Sequence, residues 1–121
     1  MTDSILLTIK RMLGYDVEYN PANPFDLEIM IHINANLAIL TQVGVGPTSG
    51  FKITGDSETW SAFLVGQYDD YNELVKEFVY LKTKLVFDPP SSAAAIETFK
   101  EVAKQDLWRI REKAEGALAN D

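Results

Sequence analysis

Apolar residues recur at helical spacing along nearly the whole chain, and prolines and glycines break the rhythm only in short runs. That punctuation constrains the fold more than any other feature. In the first segment Ile5, Ile9, Met12 and Leu13 share one helical face, Thr2 or Asp3 is placed to cap its start, and Gly14 supplies a left-handed residue at its end. The stretch "YDVEYNPANP", from Tyr15 to Pro24, carries two Asn-Pro pairs that push the backbone out of helical geometry, so it reads as a loop. Asn23 then caps a new helix, Pro24 fits its first turn, and Asp26 and Glu28 favour the positive end of its dipole.

This second helix, "FDLEIMIHINANLAILTQV", has a stripe of Ile29, Ile33, Leu37 and Leu40. Met30, Ile31, Ala35, Ala38 and Ile39 widen it almost around the cylinder, which predicts a helix buried on most sides, the central one, with at most one flank left for a partner. After a glycine-rich loop over 43–56, Asp56 or Ser57 is expected to cap a short helix in which Trp60, Phe63 and Leu64 share a face and which Gly66 ends. The next helix is expected from about Asp69 to Phe87, with Tyr71, Leu74, Val75, Phe78, Leu81 and Leu85 inward. "DPPSS" stops it. Ser91 or Ser92 then caps the longest helix, 92–118, whose core side is Ile96, Phe99, Ala103, Leu107, Ile110 and Ala114, and which is expected to project past the bundle. The fold class that results is all-α: one domain over 1–121, four main helices and one short one, with an extended glycine-rich loop and a long C-terminal helix.

A chain of 121 residues, 46% of them apolar, holds a core without staples, and the absence of cysteine excludes disulfides, thiol chemistry and zinc-finger spacing. A net charge of −7 argues against tight nucleic-acid binding, because phosphate affinity needs clustered Lys and Arg. No apolar run approaches the ~20 residues that span a bilayer, and Ile5-Leu6-Leu7 is too short for a signal-peptide core. A protein without a membrane segment, kept on the side where it is made, is the expectation.

The loop segment Gly44-Val45-Gly46-Pro47-Thr48-Ser49-Gly50 superficially suggests a phosphate cradle. Such cradles follow a strand, open a helix and carry a defined spacing; this one follows a helix, lacks the Lys, and loses a donor at Pro47. The structural reading is a left-handed cap at Gly44, a turn set by Pro47 and Gly50, and a short extended piece in which Phe51 and Ile53 alternate with Lys52 and Thr54. That piece reads as a hairpin tip or as an edge offered to a neighbour; with no partner strand in its own chain the neighbour is plausible, which makes Val45, Pro47, Phe51, Lys52, Ile53 and Thr54 candidate subunit-interface residues. His32, the single histidine, has no second His or Cys to form a metal or catalytic set, so a satisfied or interface role is expected, with Asn34 and Asn36 hydrogen-bonding beside it. "YDDYNE", from Tyr68 to Glu73, departs from a calcium loop and reads as acidic residues opening a helix; Asp16 and Glu18 read as loop carboxylates. No serine sits in a nucleophile elbow, and nothing points to catalysis, a cofactor or a metal. Trp108, Arg109 and Arg111 form a candidate docking cluster, since Trp and Arg dominate binding hot spots; the competing reading packs Trp108 on the bundle and leaves the arginines to the helix dipole.

"NANLAILTQVGVGPTSGFKI", followed by "TWSAFL", "VYLKTKLVFDPPSS" and "DLWRIREKAE", resembles the head–tail connector proteins of long-tailed double-stranded DNA phages and related prophages, from about Ile5 to Glu115. The features that carry it are a helix ending in GVGP, the Gly-Phe after it, the Trp-x-x-Phe-Leu turn, and a Tyr-Leu-Lys helix closing on Phe-Asp-Pro-Pro. The resemblance implies a homo-oligomeric ring, usually of twelve copies, under the portal protein, located in the neck of the virion after assembly in the host cytoplasm. It implies a channel through which DNA passes without sequence-specific binding, a docking surface for a downstream neck or tail protein, and a C-terminal helix that reaches the portal. A ring uses a heterologous contact; the Phe51–Thr54 piece is expected on one side of it and the apolar central helix on the other. A soluble bacterial helical adaptor that binds one protein partner is the alternative, and a DNA mimic is disfavoured because acidic residues are scattered among basic ones.

Overall fold

The computed structural model describes residues 3–65 and 71–119, the last three of them by backbone only. Five helices follow in order: α1 Ile5–Leu13, α2 Pro24–Gln42, α3 Trp60–Leu64, α4 Asn72–Phe87 and α5 Ala93–Ala119, and no strand forms among the described residues. The expected acidic opening of α4 at Tyr68, Asp69 and Asp70, and Gly66 as the stop of α3, lie outside the described residues.

Local chemistry explains most ends. Gly14 takes φ 91 after α1, and Asn23 Oδ1 accepts from Phe25 N–H at 2.9 Å with Pro24 in the first turn of α2. Ser92 Oγ accepts from Ala95 N–H at 3.1 Å at the start of α5. Two caps differ from the sequence expectation. Ser4, not Thr2 or Asp3, caps α1, its Oγ accepting from Leu7 N–H at 3.2 Å. Thr59, not Asp56 or Ser57, caps α3, accepting from Ala62 N–H at 3.1 Å. The reason lies in tertiary pairing. Ile5 N–H donates to Glu58 O and Trp60 N–H to Asp3 O, each at 3.0 Å, so the chain start lies beside the segment before α3. Asp3 Oδ2 thereby accepts from Ser61 N–H at 3.0 Å and from Ser61 Oγ at 2.6 Å. Asp3, one of the two residues expected to cap α1, serves α3 instead.

The helix at the centre is α4, whereas the apolar content of α2 suggested that α2 would be. α4 packs against α5, α2 and α1, while α2 and α5 touch each other little, so α4 lies between them. Val75, Phe78, Val79 and Leu81 of α4 are buried with Ile29, Ile33, Leu37 and Leu40 of α2 and with Ile5, Leu6 and Ile9 of α1. Burial of each such side chain is worth about 1.5–3 kcal/mol. A buried amide joins the layers, Asn36 Nδ2 donating to Thr83 Oγ1 at 3.3 Å. α5 adds Ala103, Ile110 and Ala114 to the core and has Phe99 half-buried against Tyr80, ring centroids 6.4 Å apart. It is longer than α4 but lies against the bundle for most of its length.

Candidate docking surfaces

The glycine-rich loop is a shaped plug on the bundle. Gly44, Gly46 and Gly50 have φ 105, 85 and 96, backbone that other residues rarely adopt. At Gly46 a side chain is excluded twice, since a Cβ there would stand 2.6 Å from the Phe63 ring. Three of the loop's amides are spent internally: Gly44 N–H on Thr41 O at 3.1 Å, Val45 N–H on Leu40 O at 3.0 Å, Gly50 N–H on Pro47 O at 2.9 Å. Those amides do not converge on a phosphate. Val45 and Ile53 are fully within the core, and the half-buried Phe51 ring rests on Phe63 with centroids 5.4 Å apart.

The extended piece has a partner in its own chain after all, a side chain rather than a strand. Ile53 N–H donates to Asn34 Oδ1 at 2.7 Å and Asn34 Nδ2 donates to Ile53 O at 3.0 Å, so one amide on α2 imitates a strand pair. Next to it, Thr54 N–H and Oγ1 donate to Glu58 Oε2 at 3.0 and 2.7 Å. Burial pushes the Glu58 pKa up, but the Thr54 hydrogen bonds, together with those from the Glu58 and Gly55 backbone, outweigh it and hold the carboxyl below its ordinary value. What this segment leaves at the surface is Lys52, Thr54 and the edge of Phe51. Because Asn34 fastens it to α2, the loop piece and the free side of α2 stand side by side rather than on opposite sides of the molecule.

That free side is apolar. Leu27 is 56% and Ile31 58% exposed, and Ala35 and Ala38 continue the same stripe into solvent. At one end, Phe25 is 63% exposed with its ring 6.4 Å from Phe87, and Tyr15 meets Phe87 edge-on at 5.9 Å. These rings wall a cleft of about 350 Å³ that also contains Asp16 and Glu28. His32 stands beside it, Nε2 3.9 Å from Glu28 Oε1 and its ring 6.4 Å from Phe87. Among the described residues no group of three or more His, Asp or Glu is placed to hold a metal ion, and no helix is long and apolar enough to cross a membrane.

Beneath the cleft lies a feature the sequence did not reveal, a buried ion pair. Lys10 Nζ is 2.7 Å from Asp26 Oδ1, and both side chains are almost wholly enclosed. Lys10 also donates to Glu18 O, and Asn20 N–H donates to Asp26 Oδ2 at 2.9 Å, so the pair pins the 14–23 loop between α1 and α2. Asp26 was legible as a dipole residue; the only further signal was a lone Lys beside the apolar face of α1.

On α5, Trp108 stands in solvent at 59% exposure and does not pack on the bundle. Arg109 follows it on the exposed part of the helix, and its charge partly offsets that of Asp106. Trp108, Arg109 and Arg111 line one open groove of about 480 Å³ together with Glu101 and Lys104. The three residues of the candidate docking cluster thus share one groove. Asp106 itself is buried. Desolvation first, then the hydrogen bond and charge of Glu77 on α4, raise its pKa to about 7, with Arg109 working the other way.

The family model described as phage connector protein matches residues 5–117. No curated protein and no solved structure matches the chain.

Proposed function

From the premise that the chain belongs to the phage connector protein family, we propose that it works as a ring subunit of the phage neck, docked under the portal and extending the DNA channel. The family is a structural one, and a connector role at the head–tail junction follows from membership. The observation that carries the assembly part is the exposed apolar stripe Leu27, Ile31, Ala35 and Ala38 on α2. An exposed apolar face of this kind marks an interaction site. Lys52, Thr54, Pro47 and the edge of Phe51 extend the same surface, so helix and loop form one side of a subunit contact, with Val45 and Ile53 supporting it from the core. The Trp108 side of α5, with Arg109 and Arg111 nearby, is a second docking surface, assigned by the resemblance to the portal. A net charge of −7 suits a wall past which DNA slides, and twelve copies is the expected ring.

Electron microscopy of particles made with a stop codon in this gene tests the reading. DNA-filled or leaking heads beside separate finished tails are expected. Normal infectious particles would overturn it.

A further inference from the structure

The cleft of about 350 Å³ beside α2 combines aromatic walls with exposed carboxylates. Three parts of the chain build it. Tyr15 and Asp16 follow α1, Phe25 and Glu28 come from the start of α2, and Phe87 ends α4. Its walls are held from within the chain. Tyr15 Oη donates to Asp88 Oδ2 at 3.2 Å, and Lys84 Nζ donates to the same oxygen at 3.3 Å. Phe87 meets the rings of Tyr15, Phe25 and His32 edge-on. Lys10 and Asp26 close on each other in the wall, and Glu18 O and Asn20 N–H take up further positions around them.

The charge of the lining points to what fits there. It holds one cation against three carboxylates, and that cation is already paired with Asp26. Asp16 and Glu28 are exposed, and among the described residues neither is paired with a Lys or Arg. A cation among aromatic rings gains from their faces as well as from nearby carboxylates. Arg suits both better than Lys, since its flat guanidinium stacks on rings and forks to carboxylates. A small free cation would leave unused the exposed Leu27 and Ile31, which continue along α2 from Phe25; a protein segment covers them too. Every copy of this chain carries a net charge of −7, so a second copy is repelled overall where a basic partner is attracted. We propose that the cleft receives an arginine side chain of a different, basic protein of the neck, with an apolar side chain of the same segment on Leu27 and Ile31. The inference rests on the connector reading for where that partner is met.

The site is tested on the purified chain, titrated at low salt with N-acetyl-arginine amide while backbone amide shifts are followed by NMR. Saturable shifts confined to residues 15–16, 25–29 and 87 are expected, with a Kd on the order of 1 mM. The neutral isostere N-acetyl-citrulline amide should bind roughly tenfold more weakly. Asp16→Asn with Glu28→Gln, and separately Phe25→Ala, should each weaken the arginine compound by roughly twofold to fivefold. All three side chains are exposed, and unchanged α5 amide shifts check that the fold is kept. No saturable shift, or equal binding of the arginine and citrulline compounds, overturns the site. The partner is tested by supplying Asp16→Lys with Glu28→Lys to the phage carrying the stop codon. Heads and tails that stay apart are expected, with revertants that alter an arginine codon of another virion gene. Full infectivity of the charge-reversed variant overturns the contact and leaves the connector reading intact. Revertants at Arg109 or Arg111 of this chain overturn it in favour of a second copy. Infectious particles that lack the protein altogether overturn both.

Discussion

Lys10 and Asp26 are charged residues almost wholly enclosed at the wall of the cleft, and each depends on the other. Removing one leaves an uncompensated buried charge, so Lys10→Ala or Asp26→Ala is expected to destabilise the fold by about 3–5 kcal/mol. Urea unfolding of each variant measures it, and Lys10→Met with Asp26→Leu should recover most of the loss. Asp106 carries a second prediction. Its folded value of about 7 lies above the ordinary 3.8, so the folded chain keeps a proton that the unfolded chain releases. The stability this site contributes is therefore complete below about 3.8 and is lost as pH rises through about 7. Thermal unfolding across that window should show the decline in the wild type and a flatter profile in Asp106→Asn. Neither site was legible in sequence. Lys10 and Asp106 look like ordinary polar-face residues on helices whose neighbours are unknown, and only the packing of α1 on α2 and of α4 on α5 encloses them.

Elements were far more legible than their partnerships. Apolar spacing located every helix whose start and end are described to within a few residues, because burial of one face is what each helix contributes to the core. Position within the bundle was not legible. α2 is the more apolar helix, yet α4 takes the centre, because α4 is packed from several sides while the surplus Leu27 and Ile31 of α2 stay outside. The loop showed the same gap: its glycines and its extended end were readable, but its anchor is Asn34, nineteen residues away. Asn34→Ala leaves the Ile53 amide and carbonyl without that partner, a loss of about 1–3 kcal/mol. Faster hydrogen exchange at Ile53, with α4 and α5 amides unchanged, is the expected measurement.

At the scale of the molecule, family membership and all-α class were both readable, whereas the docking surfaces were readable only as lists of residues. Geometry altered their grouping. The loop piece and α2 merged into one surface, and Glu101 and Lys104 joined the Trp108 groove. The pairing of Asp3 and Ser4 with Glu58, Thr59, Trp60 and Ser61 reaches further than cap chemistry. A chain leaves the ribosome at about 5–20 residues per second, so α1 stands in the exit stream for about three to twelve seconds before its closing partners emerge. α4 and α5, joined by a tight proline turn, complete their pairing last and nearly at once. Synthesis thus leaves α1 unclosed until the segment before α3 has emerged.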